Sequence, residues 1–279
     1  MTLSRRLRQA LGAAGVVLAA ACTTNPITGR SQLMVVPESM AIRESAAAYS
    51  QMMGGLTKKD QIESGTPRAE RLREITDRLI AQAVRFRPES AKWAWQVQLV
   101  KDPKTVNAFC MAGGKMAMYS GLMEQLKASD DEIAQVMGHE IGHALANHTQ
   151  ERMSIAYTSG IGTQLAAIAL GARDSTAALM QQAAVLAIAL PNSRESESEA
   201  DQIGIELAAR AGYDPKAAVT LWEKMAKLGK GPAEFLSTHP SSEHRAAKLR
   251  EIGAKLEPVY LSAKQNPPPE HRYVNVAKN

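Results

Sequence analysis

The stretch Gly138-His139-Glu140-Ile141-Gly142-His143 decides how the rest of the chain is read. Two histidines four residues apart on a helix share a face, about one turn from each other, so both imidazoles can reach a single metal ion. Glu140 stands beside the pair, where it can take a proton from an attacking water without itself ligating the metal. The flanking residues predict the helix this requires, from about Ser129 to Gln150. Ser129 with Glu132 three residues on is a capping box, and Ile133, Val136, Met137, Ile141 and Leu145 follow at helical spacing. Gly138 and Gly142 each cost about 1 kcal/mol relative to Ala in a helix interior, a cost that makes sense where another element must pack closely beside the metal. Chance produces an HExxH match in roughly one of a hundred sequences of this composition.

A catalytic zinc usually takes three protein ligands and leaves a fourth position open. Candidates for the third lie in Arg194-Glu195-Ser196-Glu197-Ser198-Glu199-Ala200-Asp201, which opens a helix after Pro191 and the cap Asn192-Ser193 and ends near Gly212. Glu197 and Asp201 are four apart and share a face. On the functional reading Glu197 is a zinc ligand, while Asp201 hydrogen-bonds a ligating histidine and fixes its tautomer. An acidic helix N-terminus complementing the dipole accounts for Glu195 and Glu199, so Glu199 is expected to be indifferent to zinc.

These motifs, His139-Glu140-x-x-His143 with Glu197-x-x-x-Asp201 and a later Thr238-His239-Pro240, resemble the zinc endopeptidase family of the CaaX prenyl protease, HtpX, BepA and LoiP. The resemblance runs over roughly residues 25–255 and includes Asn107-Ala108-Phe109, Gly113-Gly114 and Tyr119-Ser120-Gly121-Leu122. It implies metal-dependent endoproteolysis at or near a membrane, a gluzincin-like fold and one Zn2+ per chain. It also implies a functional His239 with Arg245 following: His239 either occupies the open zinc position and gates access, or stabilises the oxyanion together with Arg245. The LoiP-like members imply misfolded or unassembled envelope proteins as substrates, and an outer-membrane assembly machinery as a partner. A non-hydrolytic assembly factor or chaperone lipoprotein retaining the protease fold is the alternative. The intact Glu140 speaks against it, because a purely structural zinc site has no use for that carboxylate.

Around the motifs, 279 residues suffice for a sizeable core. Of the net +5, three charges are Arg5, Arg6 and Arg8 in an acid-free leader, which leaves +2 for the remainder. That balance, with no basic stripe carrying interleaved aromatics, gives no basis for a nucleic-acid partner. Residues 1–21 read as a signal peptide: a basic start, an apolar run from about Ala10 to Ala20 too short to span a bilayer, and small residues at its end. Leu18-Ala19-Ala20-Ala21-Cys22 resembles a lipobox, which implies lipidation of Cys22, a membrane anchor and, with Thr23 following, the periplasmic side of the outer membrane. Ala19-Ala20-Ala21 also fits ordinary cleavage and a soluble periplasmic protein. Cys110, the one other cysteine, reads as a buried small hydrophobe.

The expected fold is α+β and mostly helical. Residues 22–36 form a tether, 37–256 a single metallopeptidase domain, and 257–279 a disordered Pro-rich tail. Trp93 to Leu99, Val106 to Met111 and Lys115 to Tyr119 read as strands of a small sheet before the zinc helix. An exposed edge of it could bind an extended peptide by strand addition. Ile155 to Leu190 is apolar but broken by Arg173-Asp174 into pieces of about 15 residues, shorter than a span of roughly 20. His148, nine residues after His139 and close to 180° around the same helix, is expected to face away from the site. His244 and His271 have no supporting context.

Overall fold

The computed structural model describes residues 22–25, 27–169, 191–228, 234–239 and 244–267. Residues 1–21, Pro26, the later part of the apolar stretch at 170–190, residues 229–233 and 240–243, and the tail from 268, with His271, lie outside them.

The described chain opens with a small antiparallel hairpin, β1 (Cys22–Thr24) and β2 (Ser31–Leu33), in register Cys22 with Leu33. Then come α1 (Glu38–Lys58), the two-residue strand β3 (Ile62–Glu63) and α2 (Pro67–Phe86), the last capped by Thr66 with Pro67 in its first turn. Three further strands follow: β4 (Gln96–Val100), β5 (Ala108–Met111) and β6 (Lys115–Tyr119). The sheet order is β3-β4-β6-β5, with β4 and β6 parallel and the outer pairs antiparallel. This leaves β5 as one edge. Trp93 and Trp95 precede the strand in which sequence placed them: a turn over Pro88–Lys92 ends there, and the Trp95 indole donates to Ser90 O at 2.8 Å. Gly113 and Gly114, both at positive φ, close the β5–β6 loop, a conformation that costs glycine nothing.

The remaining helices are α3 (Ser120–Gln125), α4 (Asp130–Leu145), α5 (His148–Ala169), α6 (Arg194–Arg210), α7 (Ala217–Lys227), α8 (Glu234–Thr238) and α9 (Arg245–Gln265). The mostly helical α+β architecture is as expected. Its centre is α4, buried from Glu132 through Leu145 and enclosed by α2, α6, α7 and β5. Both sides of its capping box are made: Ser129 Oγ accepts from Glu132 N at 3.2 Å, and Glu132 Oε2 accepts from Ser129 N at 3.0 Å. Thr220 and Lys224 of α7 also donate to the Glu132 carboxylate, so the cap ties α4 to its neighbour.

Three expectations are corrected. The predicted helix to Gln150 stops at Leu145, because Asn147 adopts φ 58° and starts a new helix at His148. The break is held by polar groups: Arg87 donates to Leu145 O and to Asn147 Oδ1, at 3.0 and 2.7 Å. Next, residues 22–36 are no free tether. Asn25 and Gln32 are buried and donate to Ala146 O at 2.7 and 2.9 Å, which seats the hairpin on the end of α4. Finally, the tail is not disordered from residue 257, because α9 runs on to Gln265 with Pro258 inside it. A mid-helix proline removes one backbone hydrogen bond, but neighbouring turns carry the helix past it. Among the described residues, no helix is long and apolar enough to cross a membrane.

Candidate active site

Two helices hold most of the polar cluster, and glycine sets how closely they approach. A Cβ on Gly138 would lie 2.7 Å from Gly204 O, and one on Gly142 would lie 2.9 Å from Ala200 O. The close neighbour expected from the two motif glycines is therefore α6, which carries Glu197 and Asp201. Ser193 caps α6 by accepting from Ser196 N at 3.1 Å.

With α4 and α6 in contact, His139, His143, Glu197 and His239 bring one ligand atom each within 4.8 Å of one another, and all four residues are buried. The two Nε2 atoms of His139 and His143 are 3.0 Å apart, and Glu197 oxygens lie 3.3 Å from each. Two ligands about 2.1 Å from a zinc ion in tetrahedral array stand about 3.4 Å apart, so the spacing fits zinc. The protonation chemistry fits as well. His139 Nδ1 faces Asp201 Oδ1 at 2.9 Å and His143 Nδ1 faces His148 Nδ1 at 2.8 Å, which leaves both Nε2 lone pairs turned toward a common point. Lone pairs converging in a buried space want a cation between them.

The cluster is electrostatically tight. Burial opposes charge on His139, yet Glu197 and Asp201 outweigh it and raise the imidazole to about 9. Burial holds His143 well below its ordinary value. For Glu197, burial pushes upward but the three surrounding histidines, His139 foremost, hold it far below the carboxylate range. Burial raises the Glu140 carboxyl, with His239 and His139 opposing. Its Oε1 makes no hydrogen bond among the described residues, and the nearest imidazole nitrogen, His239 Nε2, is 3.4 Å away.

His239 follows α8 directly and stacks on Phe235, ring centres 4.3 Å apart. Its Nδ1 lies 3.2 Å from His139 Nε2 and 2.9 Å from Glu197 Oε1, at the fourth corner of the cluster. Arg245 is elsewhere occupied. Its Nη1 donates to Glu197 Oε2 at 2.8 Å and its Nη2 to Asp201 Oδ1 at 2.7 Å, while the guanidinium lies 3.7 Å over the Trp222 ring. It does not line the cleft shared by Glu140 and His239, so a joint oxyanion role for it has no geometric support.

A search against protein-family models finds "Peptidase family M48" over residues 67–253, about two thirds of the chain. The chain belongs to peptidase family M48. Mitochondrial metalloendopeptidase OMA1 of Arabidopsis thaliana is 41% identical over 60% of this chain and 33% of its own length. Metalloprotease LoiP of Escherichia coli is 34% identical over 56% of this chain and 61% of its own. Metalloprotease YcaL of the same organism is 29% identical over 85% of this chain and 96% of its own. The chain spans less than two thirds of the length of the OMA1 relatives from plant and yeasts. M48 metalloproteases depend on zinc, in keeping with the donor set here.

Sequence reasoning missed two residues behind His143. His148 belongs to the cluster, since its Nδ1 reaches His143 and its Nε2 lies 2.8 Å from Glu199 Oε2. The 180° argument failed because it assumed one continuous helix. Asn147, a residue that readily ends helices in the left-handed conformation, was the available signal. Glu199, read as a dipole-complementing acid, is the partner of His148 and of Arg30. Cys110 is a buried free thiol, and Cys22 keeps its backbone place in β1. His244, at the N-terminus of α9, is exposed.

Proposed function

We propose that the chain is a zinc endopeptidase of unfolded or misassembled envelope proteins, in which His139, His143 and Glu197 hold the metal and Glu140 is the general base. The convergence of three buried donors about 3 Å apart, beside a buried carboxylate whose Oε1 makes no hydrogen bond among the described residues, carries the reading. Bound zinc supplies Lewis acidity, polarising the scissile carbonyl and making water a competent nucleophile near neutral pH. Glu140 takes the proton of the attacking water and returns it to the leaving amine. Asp201 holds the tautomer of His139, and Arg245 holds both α6 carboxylates in place. The cleft is bordered by Asn107 and by β5, whose residues Ala108 to Met111 line it together with Glu140, His143 and His239. An extended peptide laid along that edge would bind through main-chain hydrogen bonds, with little demand on sequence, which suits unfolded substrates. Incubating the purified chain with an unfolded protein, with chelator and after zinc restoration, tests the assignment: cleavage that survives chelation would overturn it.

His239 acts in this reading as a gate. With Nδ1 at the fourth corner it blocks the place where substrate must arrive, and moving it opens the site. His239→Ala is expected to retain its zinc and to raise the cleavage rate by roughly threefold to tenfold, the gain from a larger open fraction. A fall in rate with zinc retained would assign His239 to transition-state stabilisation instead.

The lipobox-like residues before Cys22 support a lipid anchor on the periplasmic face of the outer membrane. The several acyl chains of a bacterial lipoprotein bind stably where one alone is marginal. Cys22→Ala is accordingly expected to release a soluble periplasmic form or to block processing. If the variant still sediments with outer membranes, residues 155–190 carry the attachment.

A further inference from the structure

His143 is held from behind by a chain of side chains that ends on the N-terminal hairpin. Its Nδ1 lies 2.8 Å from His148 Nδ1, and His148 Nε2 lies 2.8 Å from Glu199 Oε2. Glu199 in turn receives Arg30 Nε at 3.0 Å on Oε1, and both Arg30 terminal nitrogens donate to Glu151, at 2.8 and 2.6 Å. We propose that Arg30, Glu199 and His148 are positioning residues that fix the ring orientation and tautomer of His143 for zinc. The inference rests on His143 being a metal ligand.

The direction of every bond in the chain follows from one requirement. If His143 Nε2 offers its lone pair to the metal, its Nδ1 must carry the hydrogen and donate it. His148 Nδ1 is then the acceptor, so its own hydrogen sits on Nε2 and points at Glu199. The carboxylate accepts, and Arg30, which has only donors, closes the series on the other side. Reversing any link would put an N–H of His143 toward Glu197 and His139, where the metal belongs. His139 has the short form of the same device in Asp201.

Burial argues the same way. His148 is 1% exposed, and a buried imidazole with both nitrogens engaged is a specified contact. A carboxylate that merely complements a helix dipole stays in solvent, whereas the side chain of Glu199 is 13% exposed and lies between a histidine and an arginine. Arg30 belongs to the hairpin whose Asn25 and Gln32 grip Ala146 O, so one set of bonds holds this turn against the end of α4 and a second ties it to α5 and α6.

The test is the zinc dissociation constant of the full chain, measured by competition with a chelating dye, together with the visible spectrum of the cobalt form. His148→Ala and Glu199→Ala are expected to weaken zinc 10–100-fold and to shift the cobalt bands, as the loss of a ligand's hydrogen-bond partner typically does. His148→Asn, whose Oδ1 can stand in for Nδ1 as acceptor, is expected to recover most of that loss. His143→Ala is the control, losing tight binding altogether. Should His143→Ala lose zinc while His148→Ala and Glu199→Ala bind like the parent, the positioning chain is overturned and the ligand assignment stands. Parental affinity in His143→Ala would remove the ligand assignment itself. Glu199, at the partly exposed end of the chain, keeps the question answerable if His148→Ala does not fold. An asparagine variant as weak as the alanine one would also count against the proposal.

Discussion

Glu140→Gln is expected to lower peptidase activity by at least 10²–10⁴-fold while zinc content stays at the parental level. Glutamine keeps the shape of the side chain and cannot accept the proton. The two readouts separate because the Glu140 carboxylate is outside the four converging donors, and no ligand in the described structure depends on it for orientation. Its position is also fixed: it is 2% exposed on a helix that is buried on every side. Burial keeps its carboxyl above the ordinary glutamate value, which brings it closer to what a base working near neutral pH needs. Metal analysis and cleavage of an unfolded protein decide the matter, and undiminished cleavage by the glutamine variant would sink the mechanism.

Gly204→Ala is expected to damage the site without touching any residue that performs chemistry. The added Cβ would stand 2.5 Å from His139 N and 2.7 Å from the Gly138 carbonyl carbon and His139 Cα. All three are backbone atoms of a buried helix, so no side chain can swing away, and α4 and α6 must part by roughly an ångström. The histidines ride on one helix and Glu197 with Asp201 on the other, so the separation is passed straight to the ligands. Overpacking of this kind costs about 1–3 kcal/mol, and misplacing catalytic groups by an ångström costs about 10²-fold in rate. Zinc affinity should fall as well. Gly54→Ala supplies the contrast: its Cβ would meet nothing within 4 Å, and alanine in that helix should stabilise by about 0.5–1 kcal/mol. Parental zinc binding and activity in Gly204→Ala would show that the two helices are not set by glycine contact.

What could be read from the sequence divides along local and long-range lines. The start of α4 was legible because a capping box is a three-residue signal, and the structure makes both of its bonds. His139, Glu140 and His143 were placed on one helix by spacing alone. Gly138 and Gly142 announced a close neighbour by their cost in a helix interior, but not that the neighbour was Gly204 and Ala200 of α6. The end of α4 was misread because no glycine or proline follows Leu145 closely, whereas one left-handed residue, Asn147, breaks the helix and turns His148 inward. β3 was missed because two residues carry no periodicity. Arg30, Glu151 and Glu199 were beyond reach for a different reason: the two glutamates lie 121 and 169 positions from Arg30 along the chain, and all three look individually like solvated charges. The run of α9 through Pro258 went against a general preference that local context overrode.

The seating of the hairpin bears on reach. Asn25 is bonded to Ala146 O, three residues past His143 in sequence and at the end of the helix that carries it. Three residues of extended chain span at most about 10 Å, so a lipid on Cys22, as proposed, would leave almost no leash between bilayer and enzyme. The cleft would then work at a fixed height and a fixed tilt above the membrane surface. Its radius of action would be set by the size of the folded body, and chains emerging at that surface would meet it before chains adrift in the surrounding space.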